Sequence, residues 1–174
     1  MLKTAEEIKN QISKAMSVES IKLPEVVNSL GSANIPLKQE QIEFLMKSLK
    51  SPRKVELIFR ASEHNFSAAA FHQKCDNKAD TLTLIRTEFG KTIGAYSHYE
   101  WKSEGGNYVH NSRRRACIFS LDMMEKFVPQ GDGNLIFRHK DYGPTFGSGH
   151  DIRISDGCNN NNDSYANFPH TYNR

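Results

Sequence analysis

Close to residue 54 the apolar pattern of the chain switches from helical spacing to strand-like alternation, which dominates from there on. Ahead of that point, Thr4-Ala5-Glu6-Glu7 has the form of a capping box. Ile8, Ile12, Ala15 and Met16 follow it on one narrow helical stripe. Ile42, Leu45, Met46 and Leu49 make a second stripe, which Ser51-Pro52 ends. Beyond it, VELIFR (55–60), TLTLIRT (81–87), KTIGAY (91–96), ACIFSL (116–121), NLIFRH (134–139) and HDIRIS (150–155) read as strands. Clusters of Gly, Pro, Asp and Asn that suit no helix interior separate them. One short helix interrupts the series, FSAAAFHQKC, which Ser67 helps start and which places Phe66, Ala70 and Phe71 on one side. Gly90, at the corner of EFGK, turns 81–87 back into 91–96 as a hairpin.

Helices first and antiparallel strands after them define an α+β fold, two antiparallel β-sheets packed as a sandwich with short flanking helices. Phe59, Phe71, Leu84 and Phe119 lie on the apolar sides of their elements and are expected in the core. Residues 17 to 36 carry Pro24, Gly31 and Pro36 with little periodicity. The chain therefore divides into an N-terminal helix and linker arm, 1–36, and a domain over 37–174.

Bulk properties remove several function classes. The 23 Lys and Arg against 20 Asp and Glu leave a net charge of +3, too balanced to point to nucleic acid. The N-terminus reads as neither a secretory signal nor an Arg-rich transit peptide, and no segment is long and apolar enough to cross a bilayer. Cys75, Cys117 and Cys158 are widely spaced and odd in number. That argues against a disulfide framework, and a cytoplasmic location is expected.

The individual motifs carry little chemistry. The glycine-rich GPTFGSGHD (143–151) lacks the Lys and Ser/Thr of a phosphate loop and precedes a strand where such loops precede a helix; its glycines suit tight turns and close backbone approach. His72 and Cys75 are spaced as H-x-x-C, but no second pair completes a zinc site, and His139, Asp141, His150, Asp151 and Cys158 would have to be gathered by folding. Asp156, Asn159, Asn160, Asn162 and Asp163 offer oxygens without the register of a calcium loop. No metal, cofactor or catalytic residue is assigned. Arg113, Arg114 and Arg115 form the one basic cluster, suited to an acidic partner or to a solvated surface. Cys158 is the candidate redox thiol, although the sequence beside it supplies Asp156 and asparagines and no cation.

The order of motifs from the second helix onward resembles the TLDc domain of oxidation-resistance proteins. The resemblance rests on FRASEHNFSAAAFHQKCDNKADTLTLIRTEFGKTIGAY, with Ser62, Phe66, Ser67, Phe71, His72, Cys75, Gly90, Gly94 and Tyr96, then on Trp101, IFSL, GPTFGSGHDIRI and SYANFPHTY, over about residues 37 to 172. Ala79-Asp80 stands where the family frequently has Gly-Pro. The family's usual closing C-terminal strand is expected to be missing before Arg174. The resemblance implies a non-enzymatic protein-interaction module, linked to oxidative-stress protection and to the peripheral sector of the vacuolar proton-pumping ATPase. Two alternatives stand beside it: a small structural subunit of a larger cytoskeletal or membrane-peripheral assembly, and a thiol-based redox sensor. The expected partner contacts are Arg113, Arg114 and Arg115 with the first-helix residues Ile8, Ile12 and Met16.

Overall fold

The computed structural model describes residues 35–49, 54–110, 113, 115–131 and 133–174. They divide between Leu57 and Ile58 into two units. The first contains helix α1 (Gln39–Ser48), in which Ile42, Leu45 and Met46 are buried, as the stripe predicts. The Gln41 side chain accepts the Lys38 backbone N–H at its start (2.9 Å), tying down a donor that has no intrahelical partner. Ile8, Ile12 and Met16 lie outside the described residues.

The second unit opens with a short 3-10 turn (Ala61–Glu63) and helix α2 (Ala68–Cys75), followed by strands β1 (Thr81–Arg86), β2 (Thr92–Ser97), β3 (Gly105–His110), β4 (Ala116–Ser120), β5 (Glu125–Pro129), β6 (Asn134–His139), β7 (Tyr142–Phe146), β8 (Ile152–Ser155) and β9 (Tyr172–Asn173). These form two antiparallel sheets, ordered β1-β2-β4-β5-β9 and β3-β6-β7-β8. Five of the expected strands are present. VELIFR is not a strand: it has no partner ladder, and Ile58 and Phe59 instead both pack against the core as consecutive residues. The tail is less irregular than its composition implies, since Tyr172 and Asn173 pair with Pro129 and Val128 at the edge of β5.

Strand registers decide which apolar residues meet. Ile85 pairs with Ile93 and Ala95 with Ile118, and all four belong to the core or pack against it, facing Leu135, Ile136, Phe146 and Ile152 of the other sheet. Leu84, Gly94 and Phe119 are the next registers and take the opposite face. Phe119 is fully buried there, and Leu84 is half-buried against the Gly94 backbone. Of the expected core residues, Phe71 belongs to the central cluster and Phe59 packs on its rim.

A chain of edge-to-face rings runs through this core. Phe59 meets Phe71 (5.7 Å between centroids), Phe71 meets Trp101 (5.5 Å) and Trp101 meets Phe146 (5.5 Å). Trp101 is buried, so its indole N–H needs an acceptor, and Thr81 Oγ1 supplies one at 3.0 Å.

Two buried polar side chains hold the connections in place. The Nε2 of His72, on α2, faces the carbonyls of His139 (2.9 Å) and Tyr142 (3.0 Å) and so donates to them. Its Nδ1 meets Asp76 Oδ1 at 2.7 Å. Asp76 in turn accepts the Ser103 N–H and hydroxyl, so one His–Asp pair joins the helix, the β6–β7 turn and the segment after Trp101. The second is Asp151, completely buried, whose carboxylate accepts the backbone N–H groups of His170, Thr171 and Tyr172. The glycines of GPTFGSGHD serve this arrangement. Gly147 (φ +83°) lies so close that an added Cβ would fall 1.8 Å from Asp151 Oδ2.

Three outcomes follow. Phe71→Ala should destabilise the chain by about 3–5 kcal/mol in denaturant unfolding. Asp151→Ala strands buried amide donors, each costing about 1–3 kcal/mol, and should abolish hydrogen-exchange protection at residues 170–173 before any global loss. Burial raises the Asp76 carboxyl, but hydrogen bonds from Ser103 and His72 outweigh it and leave the pKa below its ordinary value. A depressed carboxyl contributes stability above the unfolded-state pKa of about 3.9 and loses it as pH falls through the lower folded-state value. Asp76→Asn should therefore flatten the acid limb of the stability–pH profile below about pH 4.

Candidate functional site

Hairpins β1–β2 and β4–β5 turn at the same end of the five-stranded sheet, because Ile93 at the start of β2 pairs with Ser120 at the end of β4. Cross-bonds fasten the two turns side by side. Asp122 Oδ2 accepts the Thr92 N–H (2.7 Å), and the Leu121 N–H donates to the Thr92 carbonyl (3.1 Å). On the first turn Gly90 (φ +71°) closes a tight corner and leaves Phe89 81 % exposed. On the second, Met123 is 59 % and Met124 46 % exposed, while neighbouring Leu121 is fully buried. Three large apolar side chains thus share one end of the sandwich, where a soluble surface gains nothing from them. Sequence reasoning passed over all three. The only signals were an aromatic inside EFGK and a Met pair inside a hairpin turn, positions where polar residues are usual.

The opposite end of the same sheet is polar. Asp80 accepts the Tyr96 hydroxyl (2.6 Å) and contacts His98 Nδ1 (2.7 Å), and Arg115 meets His98 Nε2 (3.0 Å). The Tyr96 hydrogen bond lowers the Asp80 carboxyl, with burial opposing and His98 adding to the effect. Asp80, at φ +54°, thereby ties β2 back to the loop before β1. Arg113 and Arg115 are exposed in the β3–β4 loop, and Arg114 lies outside the described residues.

The other candidates go separate ways. His72 is occupied by Asp76 and two carbonyls, and Cys75 is buried in the core. His139 stacks against Phe137 and His150 lies tilted beside the same ring on the outer face of the four-stranded sheet, while Asp151 is turned inward. Among the described residues no group of three His, Cys, Asp or Glu side chains is placed to hold a metal ion. The Asn-rich loop is organised by Asn161, which donates to the Asp156 and Gly157 carbonyls and accepts from Ser155 Oγ and the Asp163 N–H. Its Asp156 side chain accepts the Ala68 N–H at the start of α2.

The three thiols differ in depth but shift in one direction. Burial pushes Cys75 up to about 12, with Asp76 adding to it, and pushes Cys117 up to about 11. Cys158 is half-buried, and burial raises it too, partly offset by a backbone hydrogen bond and reinforced by Asp156. None has the electropositive setting that makes a reactive thiolate.

These features define an α+β chain with two short α-helices and, in its second unit, a sandwich of two antiparallel sheets. Its sequence matches the model of the TLDc domain over residues 32–174, most of the chain, and the protein belongs to the TLDc domain family. No curated protein and no solved structure matches it. Among the described residues no helix is long and apolar enough to cross a membrane.

Thiol labelling checks the electrostatics. Cys158 should react first and only in the alkaline range, with Cys117 and Cys75 protected until the chain unfolds, as quantified by mass spectrometry across pH.

Proposed function

We propose that this TLDc chain is a non-enzymatic protein-interaction module whose partner is the peripheral sector of the vacuolar proton-pumping ATPase, with a consequent link to oxidative-stress protection. The observation that carries the interaction reading is the pairing of Phe89 with Met123 and Met124 on adjoining turns. A rigid pair of hairpins presents an aromatic anchor beside two adaptable thioethers, a composition suited to filling a partner's apolar groove. The pump is named on the strength of the family resemblance. A non-enzymatic role is supported by the way His72, Asp76, Asp80, His98 and Asp151 are each engaged in holding the fold. What counts against a thiol sensor is the upward shift of all three cysteines.

The test is binding of the full chain to the isolated peripheral sector, followed by interferometry. Phe89→Ser combined with Met123→Ser and Met124→Ser should weaken binding by about tenfold or more, roughly 1.4 kcal/mol, with no loss of thermal stability. Changing Arg113, Arg114 and Arg115 to Glu should instead slow association and leave dissociation alone, most visibly at low salt. Undiminished binding by the triple serine variant would remove the hairpin end from the interface. No binding by the unaltered chain would remove the pump as partner.

A further inference from the structure

The outer face of the four-stranded sheet holds a cation that, among the described residues, has no counter-ion. Arg153 alternates with the core residue Ile152 on β8 and pairs with Thr145, so its side chain emerges on the side away from the core. Its guanidinium lies over the Tyr142 ring (4.1 Å to the centroid) and near the Tyr165 ring (5.6 Å). Antiparallel backbone bonds between Arg153 and Tyr165 fix the second ring in place (2.9 and 3.1 Å). Among the described residues the guanidinium meets no carboxylate, and its Nε is buried without a hydrogen-bond partner.

Its neighbours add hydrogen-bonding groups. His150 Nδ1 is 3.1 Å from the Tyr165 hydroxyl, and His139 stacks on Tyr142 at 4.5 Å. Burial first, and then the Arg153 charge, push His150 below its ordinary value, with no carboxylate offsetting them. Asp141, 3.9 Å from His139, is mostly exposed. His139 lies nearly parallel to Phe137 (13°) and stacks on Tyr142 (25°), whereas Phe137 and Tyr142 are tilted by 39° to each other. A half-buried guanidinium stacked between tyrosines is a fork awaiting an acceptor with two oxygens.

We propose that Arg153, with Tyr142, Tyr165 and His150, forms a binding site for an oxyanion of the phosphate or carboxylate type. The site lies on a different sheet from the apolar hairpin end and does not depend on it. The anion would accept from the guanidinium fork while the tyrosine rings keep that fork planar and partly dry. Its source is either a free small anion or the acidic side chain of a peptide, and the chemistry is the same for both.

Nuclear magnetic resonance titration of the full chain decides it, using inorganic phosphate and acetate against chloride at matched ionic strength. The expected result is saturable shifts at Arg153 Nε–H and at the Tyr142, His150 and Tyr165 rings with phosphate or acetate, and none with chloride. Arg153→Lys should weaken binding by about tenfold, and Arg153→Gln should abolish it. A phosphoserine peptide and a glutamate peptide distinguish the sources: tighter binding than the free ions assigns the oxyanion to a protein, and equal or weaker binding assigns it to a small anion. Equal shifts with chloride, the absence of saturation with every probe, or unchanged binding in Arg153→Gln would overturn the proposal. Should that variant not fold, Tyr165→Phe together with the chloride control on the unaltered chain decides it.

Discussion

The carboxylate of Asp151 is the point on which the C-terminal part of the sandwich depends. It is completely buried, and it accepts three consecutive backbone N–H groups, those of His170, Thr171 and Tyr172. Those residues belong to the polar tail of the chain. Held there, Tyr172 buries its ring in the core and donates its hydroxyl to the Leu135 carbonyl at 2.6 Å, and β9 can lie against β5. Thr171 Oγ1 accepts the Ser148 N–H in return, so the turn that carries Asp151 is itself fastened by the segment it holds. Burial of a carboxylate is costly unless hydrogen bonds satisfy it, and here backbone donors do so.

The same economy of few, fully used polar groups joins the helix side of the fold. His72 and Asp76 connect α2, the β6–β7 turn and the segment after Trp101, while the rings from Phe59 to Phe146 fill the space between. With the interior fixed in this way, the loop ends are free to vary without disturbing the sheets. The five-stranded sheet uses one end for an apolar pair of turns and the other for the Asp80, His98 and Arg115 chain. The four-stranded sheet carries its own charged feature, Arg153, on the face turned from the core. A membership that defines the TLDc family thus coexists with three chemically distinct surfaces on one scaffold.

Much of the scaffold was legible in the chain. Ile42, Leu45 and Met46 declared α1 by spacing, Ser67 capped α2 as its position implied by accepting from the Ala70 N–H, and Gly90 marked the first hairpin. The candidate site was much less so. Phe89, Met123 and Met124 carry no motif, and they become a patch only because β2 pairs with β4 as well as with β1. VELIFR alternated as a strand does, yet alternation describes only one strand's two faces and not whether a partner ladder lies beside it. β3, β5 and β7 escaped notice for the opposite reason: glycines, a proline and charged residues hid short strands whose pairing comes from neighbours.

The sequence by itself determined the α+β class, the antiparallel hairpin of β1 and β2, and that the glycines of GPTFGSGHD serve turns and close backbone approach rather than a phosphate loop. These follow from local propensity and period, which act over a few residues. Only the tertiary structure decided that Asp151 would hold a segment some twenty residues away, that Ile85 rather than Leu84 would face the other sheet, and that Arg153 would stand against the rings of Tyr142 and Tyr165. Each of those outcomes depends on strand register and on long-range backbone donors and acceptors. A one-residue change in register would exchange every face, and nothing in the local pattern encodes the partner strand that sets it.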